Sequence, residues 1–566
     1  MPMKVLGVHI GHDSSAALVV DGQLVADVAE ERFSRIKHYS GLPVSAIEYC
    51  LSYAGGSMKD IDILAVPSKS AVPELNYLFA LDKVRMEKKG VAGRMMEWAK
   101  RLNKGILSHP PLYIKQFPIG PQTEVLHVEH HLAHAASAYY TAGISEKCLV
   151  ITCDGAGDGF STCLWRGENG TLEPLQKLGT TGSLGWFYSN VTEALGWWHG
   201  DGEGKTMGLA PYGEAEKARG VLDPFYPKYE NGEIAEPHDY GVPYFWNEGG
   251  AFQWHLEEAG LIKELIARHS AANIAAEAQR VLEEQVGKIV LHWLEKEGTK
   301  HLACAGGVFL NVKLNQRLWY SGKIGAHWIF PNPGDAGLAA GAALQAYWQH
   351  HAGGPIPRLR ELYLGPEYSR QEIKAQLELR KIQHCYAEDP AKVAAQNLAA
   401  GKIVGWFQGR MESGPRALGA RSILMSPIKS ENKDIINAKV KFREPFRPFC
   451  PSLLDEKRSD YLINPREEPF MITSFDVVPG KRDHIPAVVH QDHTARPQTV
   501  KEEVNPRFHQ LIKYFGDLTG EYAVLNTSFN VKGEPIICTP HEAVRCFYDS
   551  GIDLLVLGNY LLEKLA

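Results

Sequence analysis

Short apolar runs, broken by turns carrying glycine and aspartate, open the chain. VLGVHI, the polar GHDSS, AALVV, an Asp-Gly turn and QLVADVAEE predict strand, loop, strand, hairpin turn and strand over residues 5–31. The period then changes. Between Ala271 and Glu297, the apolar residues Ile274, Ala278, Val281, Leu282, Ile289, Val290, Trp293 and Leu294 recur at i, i+3/i+4 spacing, which predicts a long amphipathic helix. It leads into HLACAGGVFLN, a buried strand ending in a glycine turn. IFPNPGDAGLAAGAALQAYW repeats the arrangement, with residues 332–335 as the turn and the alanine-rich 336–348 as the helix. Such units predict an α/β protein with functional loops at strand ends.

Glycine and proline cluster without periodicity over residues 350–366. A new series of strand (KIQHCYA), helix (390–400) and strand (KIVGWFQGR) follows. The expected division is an N-terminal domain over 1–355, a linker over 356–380 and a C-terminal domain over 381–566. A length of 566 residues fits two to four domains of about 150 residues each. With 44% hydrophobic and 22% charged residues, the chain can bury full-sized cores. The net charge of -6 lacks the global footprint of a nucleic-acid binder but leaves room for a local basic pocket. The opening shows no basic segment followed by a long apolar one, and no later stretch approaches about 18 apolar residues, so a cytoplasmic protein without membrane contact is expected. The 9 cysteines include no C-x-x-C pair, which argues against a disulfide framework or zinc ribbon. Two segments stand apart. The basic run 83–104 reads as a solvated helical face. Residues 223–254 carry Tyr226, Tyr229, Tyr240, Tyr244, Phe245, Trp246 and Trp254 beside Asp223, Asp239 and Glu248, a composition that suits either an aromatic, acidic lid over an acceptor or a packed satellite core.

Candidate chemistry concentrates in a few motifs. In VEHHLAHAASAYY, His130 and His134 project from one helical face a turn apart, a spacing that suits a divalent transition metal such as iron, manganese or zinc. Asp154 in VITCDGAGD and Asp335 in NPGDAG each end an apolar run at a glycine turn and are candidates for the remaining ligands; His131 points elsewhere and reads as structural. Glycine-rich turns at 7–15, 155–159, 204–213 and 306–311 allow backbone amides to approach phosphates, and Lys205 adds a point charge, although none matches the Walker A pattern. Recurring at strand ends in two successive halves, they have the layout of a duplicated actin-like ATPase fold. Towards the C-terminus, GRMESGPRALGAR, KVKFREPFRPF and HTARPQTV place Arg410, Arg416, Arg421, Lys441, Arg443, Arg447 and Arg496 in Gly, Pro and Phe contexts rather than interleaved with Glu, which predicts an anion pocket. In LNTSFNVKGEP, Ser528 and Asn530 suit hydrogen bonds to a carbonyl or phosphate.

Taken together, GHDSSAALVVDG, EERFSRIKH, HHLAHAASAYY, CDGAGD, GEGKTMGLAPYG, GGVFLN, NPGDAG, GRMESGPRALGARSI, KFREPFRPF, HTARPQTV and LNTSFNVKGEPI resemble the O-carbamoyltransferase family that includes the NodU proteins and the tobramycin and cephem carbamoyltransferases. The resemblance covers almost the whole chain. It implies an actin-like domain similar to the enzyme that transfers threonylcarbamoyl to transfer RNA, followed by a YrdC-like α/β domain that makes carbamoyl adenylate from carbamoyl phosphate and ATP with magnesium. The carbamoyl group would then pass to a hydroxyl of a small molecule, expected to be a natural product. On this resemblance His130, His134, Asp154 and Asp335 hold Fe(II) or another divalent transition metal. Arg416, Lys441, Arg447, Arg496, Asn526, Ser528 and Asn530 bind carbamoyl phosphate or ATP, and Lys205, Gly306, Gly307 and Asn311 contact nucleotide in the first domain. His12 and Lys37 lie near the acceptor, with His12 as candidate general base; a homodimer is compatible. Hydrogenase-maturation chemistry would call for an acylphosphatase module, C-x-x-C zinc motifs and the reverse domain order. Threonylcarbamoyl transfer would require RNA contact. A non-enzymatic ATP-switched scaffold would leave the arginines and the His/Asp set unexplained.

Overall fold

The computed structural model describes residues 2–69, 75, 78–79, 115–240, 244–248 and 251–564; for 244–248 and 251–255 only the backbone is described. The basic run 83–104 lies outside these residues.

Two five-stranded sheets share one topology. In the first, Lys4–His9 pairs antiparallel with Ser15–Val20, which pairs antiparallel with Gln23–Ala29; on its other side Lys4–His9 pairs parallel with Ile63–Val66, which is followed by Glu124–His127. In the second, Cys148–Gly157, Phe160–Glu168 and Thr171–Gly179 form the antiparallel meander, and His301–Ala305 and Ala326–Ile329 extend it in parallel. Both sheets therefore run third-second-first-fourth-fifth in order of appearance, and this repeat makes the N-terminal part a duplicated, two-lobed domain of the actin-like kind. The predicted helix occupies Ala271–Glu297, capped by the Ser270 side chain and ended by left-handed Gly298. Its apolar stripe packs with Leu149, Ile151, Leu302 and Cys304 of the second sheet.

Helices His130–Tyr139 and Leu338–His350 lie against each other between the lobes, and their alanines dominate the shared core. Small residues permit the close approach: a Cβ on Gly341 would fall 1.9 Å from the Ala133 carbonyl oxygen. The approach brings the N-terminus of one helix, with its histidines, beside the turn that starts the other.

The C-terminal part is a mixed eight-stranded sheet covered on both faces. Neighbouring residues along its strands point to opposite cores. Trp406, Leu424 and Val524 pack with Ala394, Leu398, Phe508 and Phe515 of helices Pro390–Ala399 and Pro506–Thr519. Phe407, Ile423 and Leu525 pack with Ile373, Leu377 and Phe547 of helices Arg370–Leu379 and Pro540–Tyr548. Residues 356–369 run between the two parts, with Leu362 and Leu364 buried in the core shared by helices His130–Tyr139 and Leu338–His350. Among the described residues no helix is long and apolar enough to cross a membrane.

The aromatic segment resolves in favour of packing where it is described. Tyr226 and Tyr229 are buried in the second lobe and Tyr240 packs against the same cluster; the Tyr229 hydroxyl donates to the Gly182 carbonyl and Tyr226 to Asp223. These rings form a satellite core, not a lid. The side chains of Tyr244, Phe245, Trp246, Glu248 and Trp254 lie outside the described residues.

Candidate functional site

Three elements deliver the His/Asp set to one point. His130 and His134 stand a turn apart on helix His130–Tyr139, Asp154 sits near the end of strand Cys148–Gly157, and Asp335 opens the turn before helix Leu338–His350. The candidate ligand atoms all lie within 4.8 Å of one another. His134 Nε2 is 3.1 Å and His130 Nε2 is 3.7 Å from Asp154 Oδ2; the same nitrogens are 3.6 and 3.8 Å from Asp335 Oδ1. Gly157 makes room for the first ring, since a Cβ there would lie 2.0 Å from His130 Cδ2. Burial opposes its charge, yet the two imidazoles hold the Asp154 carboxyl well below the usual carboxylate range. His130 Nε2 is buried without a hydrogen-bond partner. Converging imidazole nitrogens and carboxylate oxygens, one nitrogen otherwise orphaned, fit a divalent transition metal. His131 turns away, to Thr152 Oγ1 (2.9 Å) and the Phe160 carbonyl (3.0 Å), and burial lowers its pKa to about 3, so it is a neutral structural residue.

The glycine turn of GGVFLN abuts this centre. A Cβ on Gly307 would lie 3.1 Å from Asp154 Oδ1, and Gly306, at φ 97°, donates its amide to the Pro333 carbonyl at 2.8 Å. The Asn311 amide is already engaged: it caps the next helix through Leu314 and makes reciprocal hydrogen bonds with Gln279. Lys205 lies at the boundary with the C-terminal part, 3.6 Å from Glu444.

In the C-terminal part a group of cations converges. Lys441 ends a π-helical turn, Asn437–Lys441, and its ammonium donates to Ser528 O (2.5 Å) and Oγ (3.2 Å) and to Asn530 O (3.1 Å) and Oδ1 (2.7 Å). Arg496 donates through Nε and Nη2 to the Cys450 sulfur at 3.1 and 2.9 Å. Arg416 has a buried Nε without a partner. Burial, then Arg496 and Arg447, push the Arg416 pKa down to about 9, and burial with Arg447 and Arg496 does the same to Arg443. Lys441 is depressed by burial, Arg443 and Arg447. Like charges thus destabilise one another across a single pocket, offset at Arg447 by Glu444 and Asp201. Asn526 is buried behind it, donating to Ala417 O and Ser452 Oγ. Two of the cations expected here are elsewhere. Arg421 donates to the carbonyls of Gln408, Gly409, Ala420 and Pro366, and Arg410 to those of Gly365, Val25 and Leu364 and to the hydroxyls of Tyr49 and Tyr53. Backbone carbonyls consume their donors, so both are structural.

Residues 4–344 match the family described as carbamoyltransferase N-terminus, and residues 395–564 match carbamoyltransferase C-terminus. The chain belongs to the carbamoyltransferase family. It is 37% identical to an uncharacterized protein of Synechocystis sp. over 98% of this chain and 95% of that one, and 36% identical to nodulation protein NolNO of Sinorhizobium fredii over 98% and 79%. Nodulation protein U of Rhizobium tropici is 27% identical over 96% and 93%. Among solved structures, full-length HypF in its phosphate- and nucleotide-bound form aligns with TM-score 0.31 and 13% identity over 61% of this chain and 55% of that one.

The carbamoyltransferase presents a further cluster where the motifs GHDSS and EERFSRIKH meet. His12 Nδ1 is 2.9 Å from Asp13 Oδ2, His38 Nδ1 is 2.8 Å from Asp13 Oδ1, and His38 Nε2 is 3.4 Å from Asp201, which also pairs with Lys37. His9 donates to the His12 carbonyl (2.9 Å) and lies in the field of Asp335 and His130, so His12 stands beside the His/Asp centre. Asp13, His38 and Asp201 were not singled out from sequence. The first two lie inside the quoted motifs, next to residues that were; Asp201 is distant in the chain and gave no signal.

Proposed function

We propose that this carbamoyltransferase activates carbamoyl phosphate with ATP in its C-terminal cation pocket and passes the carbamoyl group to a hydroxyl of a small molecule, a natural product, at the two-lobed domain. The convergence of Arg416, Lys441, Arg443, Arg447 and Arg496 carries this reading, because such crowding is relieved by a polyanion and by little else. Carbamoyl phosphate and water give carbamate and phosphate. Carbamate oxygen attacks the α-phosphorus of ATP, forming carbamoyl adenylate and releasing pyrophosphate. The acceptor oxygen then forms a bond to the carbamoyl carbon, the bond to the adenylate phosphate breaks, and AMP leaves with the electron pair.

Arginine guanidinia suit the bidentate grip on phosphates, and Lys441, fixed by Ser528 and Asn530, contributes a point charge at a set position. The C-terminal part serves in this reading as the YrdC-like donor domain. His130, His134, Asp154 and Asp335 would hold the divalent metal, Fe(II) or a similar ion, which when bound supplies Lewis acidity. His12, half exposed and within the field of Asp335, receives the acceptor proton on Nε2. Gly306 and Gly307 offer close backbone approach to the nucleotide portion beside Asp154.

Pyrophosphate release from ATP, magnesium and carbamoyl phosphate tests the reading. Release that needs both substrates and disappears in Arg496→Ala is the expected result. Release independent of carbamoyl phosphate, or none at all, would sink it.

A further inference from the structure

The side chains around His12 point to an orienting system, and the inference rests on the reading of His12 as the base. Asp13 divides its carboxylate between two imidazoles, one oxygen to His12 Nδ1 and the other to His38 Nδ1. With Nδ1–H donating to the carboxylate, the lone pair of His12 lies on Nε2. That nitrogen has no hydrogen-bond partner among the described residues. It faces Gly200, where a Cβ would lie 3.8 Å away and the backbone is left-handed at φ 83°. A larger residue there would be strained and would crowd the Nε2 edge.

The far side of Asp13 is braced as well. The His38 ring stacks on His12, with centroids 5.3 Å apart and planes 13° apart, while its Nε2 faces Asp201 and its backbone amide donates to Glu31 at 2.9 Å. Flanked by Asp13 and Asp201, His38 has its pKa raised to about 10 against the opposing effect of burial, so it is an imidazolium at neutral pH. Asp13 and His38 both hold left-handed backbones, at φ 58° and 53°, an arrangement that the surrounding structure must enforce. Each Asp13 oxygen already has its imidazole partner, so hydrogen bonds alone account for this trio.

We infer that Asp13 is the positioning residue of the transfer step, fixing the tautomer and orientation of His12, and that the His38–Asp201–Lys37 chain holds Asp13 in place from behind. In that step the acceptor O–H proton moves to His12 Nε2 while the oxygen bonds to the carbamoyl carbon and AMP departs; Asp13 stays ionised throughout. The groups facing His12 are Asp13, His38 and, at longer range, Asp335.

Diethyl pyrocarbonate, which modifies a neutral exposed imidazole, reads the arrangement without knowledge of the acceptor. The pH dependence of modification is followed by mass spectrometry of the His12 peptide on the full-length protein. Asp13→Asn is expected to move the midpoint down by about one pH unit, and Asp13→Glu to restore part of the shift. His38→Gln should move it the opposite way, because an imidazolium leaves the ring's neighbourhood. Hydroxylamine, a nucleophile that needs no base, converts carbamoyl adenylate to hydroxyurea and AMP, and this yield should stay within about twofold in every variant. A midpoint unmoved in Asp13→Asn, or moved in the same direction by both substitutions, would overturn the inference. Failure of the wild-type protein to form hydroxyurea would instead strike the donor chemistry, leaving the modification result to judge Asp13 on its own.

Discussion

The His130–His134 centre and the Arg416–Arg496 pocket both gather charge away from solvent, but the first mixes bases with acids and the second sets cations side by side. In the first, two carboxylates face two imidazoles and the Asp154 charge is stabilised. In the second, Arg416, Lys441 and Arg443 all lose proton affinity to burial and to neighbouring arginines, Arg447 among them in each case. A mixed set stands ready for a small cation with little change in the protein. A one-sign set is a destabilised free state that binding repairs, so its strain is a source of affinity. The two centres should therefore respond differently to every perturbation.

The largest effect is expected at the mixed centre. His130→Ala with His134→Ala should reduce transition-metal content, measured by elemental analysis, to near zero while pyrophosphate release stays within about twofold of wild type. Joint loss of both would erase the distinction. Arg496→Ala should do the converse, cutting pyrophosphate release by about 10²- to 10³-fold with metal content unchanged. Thermal stability sharpens the contrast. Pyrophosphate at about 100 times its Kd should raise the Tm by about 5 °C, and Lys441→Met should both raise the starting Tm and abolish most of the rise.

The smallest effect concerns the contact between the two parts. Asp27, buried in the first lobe, accepts a hydrogen bond from the Ser413 hydroxyl of the loop that bears Arg416, and burial raises its pKa to about 6. In the unfolded chain that carboxyl titrates near 3.8. Between these values the folded state binds the extra proton, so stability falls as pH rises through about 4 to 6. Asp27→Asn should remove this slope and gain up to about 3 kcal/mol at pH 7, read from the difference in melts between variant and wild type across pH 4–7.

Much of this arrangement was legible in the sequence because it is local. Helical spacing put His130 and His134 on one face, and the ends of apolar runs marked Asp154 and Asp335. Periodicity likewise announced the helix over Ala271–Glu297. Which arginine does what was not legible. Arg410, Arg416 and Arg421 share one motif and one composition, yet two of them spend their donors on carbonyls brought in by distant turns, among them Val25 and Pro366. The tertiary path decides that, and residue type does not reveal it. The same holds for Tyr226 and Tyr229, whose aromatic and acidic neighbourhood was equally compatible with a lid until the second lobe closed over them. His38 and Asp201 come from the first and second lobes respectively, more than 160 positions apart in the chain, and needed the fold to meet.

The loop from Arg410 to Arg421 has a consequence for anyone wishing to recombine such enzymes. Arg410 grips the Val25 carbonyl, Ser413 grips Asp27, and the Gly414 carbonyl accepts from Arg32 at 2.7 Å, while Arg35 reaches the carbonyls of Pro535 and Ile536. The donor half thus borrows its frame from the opening strands and the short helix after them. A chimera spliced between the halves of two relatives inherits a mismatched scaffold even where every reacting side chain is kept, and the profitable crossover point lies upstream of residue 25, or nowhere.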